Sequence, residues 1–298
     1  MTNYLWIIGA LALISPAGAR APRAPRGEIV LPMDAPVIAV EMAGVPLRLR
    51  VGLEAKDVVE INADVIARLP LRFEDGFDAE VGRETIKGVT AIGELRIGKT
   101  KRMVQLSSHG RSCCDGVDGE IGIGLLPYAT VRFLRDDVVG SPTERSLPVR
   151  STIERGLEAV PADSTVAIQF APTRDRSVAT AAAGAILARR LGGAPEGESF
   201  EIPAAFGVTR PARRVRFGRP ADIAGFSFAE IPVRMTDFGG RETFVDHDSD
   251  PGDIVVQRRI KRQEAWPVVM LARDRLNRCA EIQVDVPAQR MTLRCAFD

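Results

Sequence analysis

The feature that most restricts the fold of this chain is a series of short segments in which apolar and polar residues alternate. A period of two places every second side chain on one face of an extended strand. Gly and Pro residues separate the segments, and helical spacing is confined to Ile61–Leu69 and Ala181–Leu191. The alternating segments are Val37–Met42, Leu47–Val51, Gly93–Ile97, Val166–Phe170, Ile231–Met235, Glu281–Asp285 and Arg290–Arg294. This pattern predicts an all-β fold of hairpins with short helices.

The same order of elements occurs twice along the chain. The strand Leu47–Val51 is followed by an irregular loop and the first helical stretch, and the strand Val166–Phe170 is followed by a loop and the second. Each half then contains a Gly-marked hairpin and a similar closing segment. Such a repeat predicts two lobes that arose by duplication. The polar, Pro-containing segment Asp136–Ser146 is the predicted linker between them.

The first residues have the composition of a signal peptide. The apolar run Leu5–Ile14 precedes the small residues Ala17-Gly18-Ala19, which predicts cleavage after Ala19, although the first four residues contain no Lys or Arg. A membrane anchor is the alternative, but the run is too short to span a bilayer. We therefore expect an exported, periplasmic or secreted protein that does not associate with the membrane after cleavage. The predicted divisions are a signal peptide over 1–19, an extended leader over 20–35, an N-terminal lobe over 36–140 and a C-terminal lobe over 147–298.

The charge balance disfavours polyanionic partners. Lys and Arg number 40 and Asp and Glu number 39, which leaves a formal net charge of +1. A chain of this kind has no long-range field that would attract nucleic acid or an anionic membrane surface. No nucleic-acid partner is therefore expected.

Four cysteines are typical of a protein from an oxidising compartment. Cys279 and Cys295 flank the predicted turn Val286–Gln289, and the strands on either side would bring the two sulfurs within bridging reach, which predicts a disulfide. Cys113 and Cys114 are adjacent, so a vicinal bridge, two separate thiols and an intermolecular bond all remain open. A metal site is disfavoured there because no histidine cluster accompanies the pair.

Two segments, together with the order of elements, suggest a family. Asp118–Leu126 (DGEIGIGLL) is similar to a segment of the form DGILG.D.L, and Ala280–Leu293 is similar to a closing hairpin. These segments resemble the bacterial aspartyl-protease-like family related to pepsin and retropepsin, over roughly residues 36–296 of this chain. The resemblance implies two duplicated β-barrel lobes with a long cleft between them that is suited to an extended peptide.

The catalytic motif of that family is missing from both halves. Each family lobe presents Asp-Thr-Gly in the loop between strand and helix, because the chemistry requires two carboxylates that share one proton. The first loop here reads GLEAKD over residues 52–57, and the second reads APTRDRS over residues 171–177. Ala55 alone matches the small residue that often follows the motif. The sequence therefore predicts no catalytic residue.

Only three carboxylates are available in these loops as substitutes. They are Glu54, Asp57 and Asp175, and each has a Lys or Arg within two residues, which lowers a carboxylate pKa and opposes proton sharing. We expect a non-catalytic module that binds a peptide or protein without a cofactor. The alternative is a divergent aspartic-type endopeptidase that uses these carboxylates. The residues predicted to form the cleft loops are Gly52, Leu53, Ala171, Pro172 and Thr173.

Two other clusters have simpler interpretations. A serine precedes His109, but adjacency in sequence does not supply the geometry of a catalytic triad, so a polar loop near the interlobe cleft is favoured. Asp246, Asp248 and Asp250 alternate as in calcium loops, but Pro251 occupies the place of the Gly that an EF-hand requires. The sequence predicts a solvated loop there, with calcium binding as the weaker alternative.

Overall fold

The fold is described by a computed structural model over residues 25–55, 57–81, 84–152, 156–161, 164–236 and 266–298. The first half contains a four-residue helix α1 (Ala63–Ile66) and a 3-10 turn at Ile123–Leu125. Its strands are β1 (Glu28–Pro32), β2 (Val37–Met42), β3 (Val45–Gly52), β4 (Val59–Ile61), β5 (Glu74–Val81), β6 (Glu84–Ile97), β7 (Thr100–Ser108), β8 (Gly119–Gly122) and β9 (Thr130–Leu134).

The second half has the longer helix α2 (Ala181–Leu191) and the short helix α3 (Arg273–Leu276). Its strands are β10 (Thr143–Thr152), β11 (Gly156–Ala159), β12 (Ala167–Ala171), β13 (Val178–Ala179), β14 (Ala194–Pro203), β15 (Thr209–Ile223), β16 (Phe226–Arg234), β17 (Val268–Ala272), β18 (Cys279–Asp285) and β19 (Arg290–Cys295).

Strand pairing repeats between the halves. In the first, β3 runs parallel to β8, and β4 lies antiparallel to β8 and parallel to β7. In the second, β12 runs parallel to β17, and β13 lies antiparallel to β17 and parallel to β16. The first set closes into a six-stranded barrel in the order β2-β3-β8-β4-β7-β6 through pairing of β6 with β2. The predicted fold class, an all-β chain of two duplicated lobes with short helices, is confirmed.

Strands from both halves also form one continuous sheet in the order β1-β9-β18-β19-β10. Strand β1 lies within residues 20–35, for which the sequence predicted an extended leader, and it pairs parallel with β9. Leu31 and Met33 are 4% and 1% exposed, so this segment adds apolar area to the core. Strand β10 begins at Thr143, inside the predicted linker. These pairings join the two halves through backbone hydrogen bonds.

The two helical predictions have different outcomes. The helix α2 has the predicted bounds, because the Thr180 hydroxyl accepts a hydrogen bond from Ala183 N at its start and Gly192, at φ 68°, ends it. The stretch Ile61–Leu69 forms only the four residues of α1 and continues in tighter turns, since Arg68 N and Leu69 N bond to carbonyls three residues back. No helix in the described part of the chain is long and apolar enough to cross a membrane.

The four cysteines form two pairs in the structure. Cys279 lies opposite Cys295 in the β18–β19 hairpin, with the Sγ atoms 2.03 Å apart, as the sequence predicted. A bulge at Ala280 shifts the register by one residue, which brings Cys279 opposite Cys295 rather than opposite Ala296. The Sγ atoms of Cys113 and Cys114 lie 2.50 Å apart, so the structure has the vicinal arrangement among the alternatives left open.

Candidate binding site at the lobe junction

Two loops occupy equivalent places in the two lobes. Gly52 is the last residue of β3 and pairs with Gly122 of β8. Ala171 is the last residue of β12 and pairs with Ala272 of β17. Gly52 and Ala171 therefore stand at matching positions where each strand enters its loop. Neither residue has a carboxylate, although this is where the motif implied by the family resemblance would begin.

The space beside Gly52 is already occupied. A Cβ atom added at Gly52 would lie 2.7 Å from Glu120 Oε1 and 2.8 Å from the Cβ of Ala55. These distances are shorter than real Cβ contacts, so a side chain at this position would force its neighbours to move. In the second lobe, Ala171 is 1% exposed and packs in the core. The first position of each loop thus has no room for an additional carboxylate.

An ion pair joins the two loops across the lobes. Arg174 Nε donates a hydrogen bond of 2.9 Å to Glu54 Oε1, and the side chains of Arg174 and Glu54 are 35% and 14% exposed. The negative charge of Glu54 is the main reason that the pKa of Arg174 is raised. Glu54 Oε2 is buried and has no hydrogen-bond partner within the described residues. At this contact between the loops Glu54 is therefore paired with a guanidinium and not with a carboxylate of the second loop.

The backbone of the first loop is fixed by the second half of the chain. Leu157 N donates a hydrogen bond of 3.2 Å to Leu53 O. Gly156 has a φ of 70°, and a Cβ there would lie 2.5 Å from Glu54 O. Only glycine accepts both that backbone angle and that close approach. The position of Glu54 is thus set by β11 as well as by Arg174.

Glu120 is a junction residue that the sequence analysis did not select. Arg50 donates hydrogen bonds from Nε, at 2.7 Å, and from Nη2 to Glu120 Oε2. Burial raises the pKa of Glu120 despite the opposing charge of Arg50, and the charges of Glu54 and Glu60 raise it further. A sequence signal was present, because Glu120 stands where the similar family segment has isoleucine. Arg50 with Glu120 and Arg174 with Glu54 form two ion pairs at the junction, and the charge of Glu54 also acts on Glu120.

The raised pKa of Glu120 predicts how stability depends on pH. A carboxyl group with a folded-state pKa above its unfolded value stabilises the fold when it is protonated, and this contribution is lost as the pH rises through the folded pKa. The free energy of unfolding of the wild type, minus that of Glu120→Gln, should therefore fall as the pH rises from about 4 to about 7. The size is about 1.4 kcal/mol for each unit by which the pKa is raised. Urea unfolding at several pH values measures this difference.

Glu94→Gln is the matched control, because Glu94 forms a surface ion pair with Lys101 on the outside of the barrel. A wild-type minus Glu120→Gln difference that grows with rising pH would contradict the assigned direction.

The other two candidate carboxylates have partners different from that of Glu54. Ser151 Oγ donates a hydrogen bond of 3.4 Å to Asp57 Oδ2, and burial raises the pKa of Asp57. The side chain of Asp175 is 90% exposed and lies 3.3 Å from Arg273. Each of the three therefore has a different neighbour, and the structure does not bring them together.

The predicted cleft residues differ in exposure. Leu53 is 1% exposed, and Ala171 and Pro172 are also buried, so their side chains present no open surface. Gly52 and Thr173 are half-buried. The acidic candidates Asp246, Asp248 and Asp250 lie outside the described residues. Within the described residues no group of three His, Cys, Asp or Glu side chains is placed to hold a metal ion.

The loop that contains the vicinal cysteines is held by Asn62, a second residue that the sequence analysis missed. Asn62 Nδ2 donates hydrogen bonds to Cys114 O, at 3.0 Å, and Val117 O, at 2.8 Å, while its Oδ1 accepts from Cys113 N at 2.9 Å. The Cys114 sulfur lies 3.9 Å from Glu120 Oε2. This loop is therefore packed against the first-lobe side of the junction. The available signal was an asparagine inside the predicted helical stretch Ile61–Leu69, because asparagine favours caps and turns over helix interiors.

Comparisons with known proteins do not identify a family for this chain. No family model matches the chain, and no curated protein matches it significantly. Among solved structures, the EIAV protease in complex with an inhibitor is similar at 12% identity and a TM-score of 0.26, covering 31% of this chain and 85% of that one. A likeness at this level carries no functional conclusion, so function depends on the geometry of the junction itself.

Proposed function

We propose that this chain is a non-catalytic relative of the aspartic proteases, exported from the cytoplasm, that binds an extended peptide or protein segment at the lobe junction. The observation that carries the proposal is the ion pair between Glu54 and Arg174, which joins the two equivalent loops. General acid and base catalysis by a carboxylate pair requires that one proton be shared between two acids. A permanently charged guanidinium cannot take part in such sharing.

Binding is supported by the polar groups that the junction retains. The side chain of Arg174 is 35% exposed, and its terminal amino groups make no hydrogen bond within the described residues. Thr173, beside it, is also half-buried. Guanidinium donors beside a half-buried loop suit the carbonyl and carboxylate oxygens of a peptide.

Export is supported by the apolar segment that precedes Ala19 and by the two cysteine pairs. Disulfides persist in oxidising compartments and are rare in the cytosol. This part of the proposal is tested by expression of the full chain with cell fractionation, and by the N-terminal sequence of the mature protein. A mature protein that still begins at Met1 would contradict it.

A binding and cleavage assay on one probe tests the junction. The probe is an unfolded protein that has been reduced, carboxymethylated and labelled with fluorescein. We expect this probe to bind the wild-type chain, as measured by fluorescence polarisation, and to remain uncleaved from about pH 3 to about pH 8. Arg174→Met should weaken binding about tenfold, since it removes the exposed donors. Arg176→Met is the matched control, because Arg176 is exposed in the same loop and lies over the Phe200 ring instead.

The endopeptidase alternative makes the opposite prediction. Cleavage in acid that is abolished by Glu54→Gln or Asp175→Asn would overturn the non-catalytic assignment. Equal loss of binding in Arg174→Met and Arg176→Met would show that the junction is not the binding site.

A further inference from the structure

The tip of a hairpin from the second lobe packs against the strands of a hairpin from the first lobe. The β5–β6 hairpin belongs to the first lobe and the β14–β15 hairpin to the second. Phe206 lies in the turn between β14 and β15, and its ring centroid is 5.8 Å from that of Phe77 in β5. The edge of the His109 ring approaches Phe206 at 5.2 Å between centroids. A side chain of the second lobe thus lies against an aromatic surface of the first.

The contact is apolar and separate from the main core. Ile86 of β6 and Val208 of the opposite hairpin are 6% and 4% exposed. Ala79, Ala204 and Phe206 pack around them and are partly buried. We call these five residues the inter-hairpin cluster. Because it is small and lies between two hairpins, the cluster can separate without unfolding either lobe.

Phe206 lies in a turn that its own hairpin closes. Its φ is 56°, in the left-handed region that bulky residues rarely occupy, and Gly207 follows at 68°. Val208 N donates a hydrogen bond of 3.1 Å to Ala205 O, so both angles belong to a two-residue hairpin turn. Arg111 of the first lobe adds a hydrogen bond of 3.4 Å from Nη1 to Phe206 O. The turn therefore presents the Phe206 side chain to the first lobe and does not depend on that contact for its shape.

The surface that receives Phe206 is connected to the junction. His109 is 5% exposed, and its Nε2 lies 2.7 Å from Glu60 Oε1. The charge of Glu60 in turn acts on Glu120, beside Gly52. The sequence analysis predicted a polar loop near the cleft at His109, and the structure places the residue in a buried position directly after β7, against the second lobe.

We infer that Phe206 is an internal pseudo-ligand that fills a subsite for an aromatic side chain, formed by Phe77, Ile86 and His109 of the first lobe. The inference rests on the proposed peptide-binding function and specifies its ligand as an extended peptide with an aromatic residue that displaces Phe206. Aromatic side chains pack edge-to-face on other rings, as Phe206 does on His109. Binding therefore begins with release of the chain's own phenylalanine.

The experiment removes Phe206 and measures binding of two capped, fluorescein-labelled hexapeptides that differ only in a central Phe or Ala. The test variant is Phe206→Gly, because glycine accepts the left-handed backbone and preserves the turn. We expect it to bind the Phe peptide about tenfold more tightly than the wild type does, with the Ala peptide unchanged. Phe206→Ala should give the same preference. Phe200→Ala is the matched control, since Phe200 lies in the same hairpin but contacts Arg176.

Two results would overturn the inference. One is an equal gain for both peptides, and the other is no gain for the Phe peptide in variants that unfold cooperatively at a temperature close to that of the wild type. If the unfolded-protein probe still binds the wild type in either case, the pseudo-ligand alone is wrong. If neither the wild type nor the Phe206 variants bind that probe or either peptide, the proposed binding function fails as well.

Discussion

The Gly52→Asp variant, which places an acid at the first position of the first loop, is expected to lose about 3 kcal/mol of unfolding free energy or more. A Cβ at this position would lie 2.7 Å from Glu120 Oε1, and overpacking of this kind costs about 1–3 kcal/mol. The new carboxylate would also stand beside Glu120 and Glu54, and a buried like charge adds to the cost. Chemical denaturation of the purified variants measures the loss.

Two further substitutions separate the steric cause of the loss from the electrostatic cause. Gly52→Ala introduces the Cβ without the charge and should account for roughly half of the loss. Glu120→Ala removes the atoms that occupy the space, so Gly52→Asp combined with Glu120→Ala should lose less than the sum of the two single losses. If Gly52→Asp is as stable as the wild type, Glu120 does not fill this space and the absence of an acid at Gly52 has no steric cause.

Much of the fold follows from residue pattern alone. The alternation of Val37–Met42 gives a strand with those bounds, and Ala181–Leu191 gives a helix with those bounds. Both segments contain local signals, a period of two in one case and a capping threonine with a terminal glycine in the other. The strand β1 was not foreseen because Glu28–Pro32 has little periodicity of its own, and its pairing is set by β9, about a hundred residues later.

The junction was predicted less completely than the fold. The sequence shows that both loops lack the paired acids, but it does not show which side chains meet. Glu54 and Arg174 are 120 residues apart in sequence, and their loops meet because strands of both halves pair in one sheet. Glu120 lies in a strand rather than a loop, so a search restricted to loop carboxylates passed over it. Phe206 was missed because its role depends on a contact between lobes.

Removal of Arg174 should cost more stability than removal of Glu54. In Arg174→Met, a carboxylate that is only 14% exposed is left without its partner, whereas Glu54→Gln leaves a guanidinium that is 35% exposed and can turn towards water. Breaking a fully buried pair costs about 3–5 kcal/mol, and because Arg174 is partly solvated we expect about 2 kcal/mol for Arg174→Met and about 1 kcal/mol for Glu54→Gln.

The double variant Glu54→Gln with Arg174→Met should lose less than the sum of the single losses, by about 1–2 kcal/mol, because neither partner remains as an isolated charge. The surface pair of Glu94 and Lys101 provides the matched double-mutant cycle, with an expected coupling of about 0.5 kcal/mol or less. Chemical denaturation of all variants at neutral pH supplies both coupling energies. If the coupling between Glu54 and Arg174 is no larger than that of the surface pair, the charge pair does not hold the two loops together. The main physical argument against proton sharing at the junction would then be lost, because Glu54 would be free to act without Arg174.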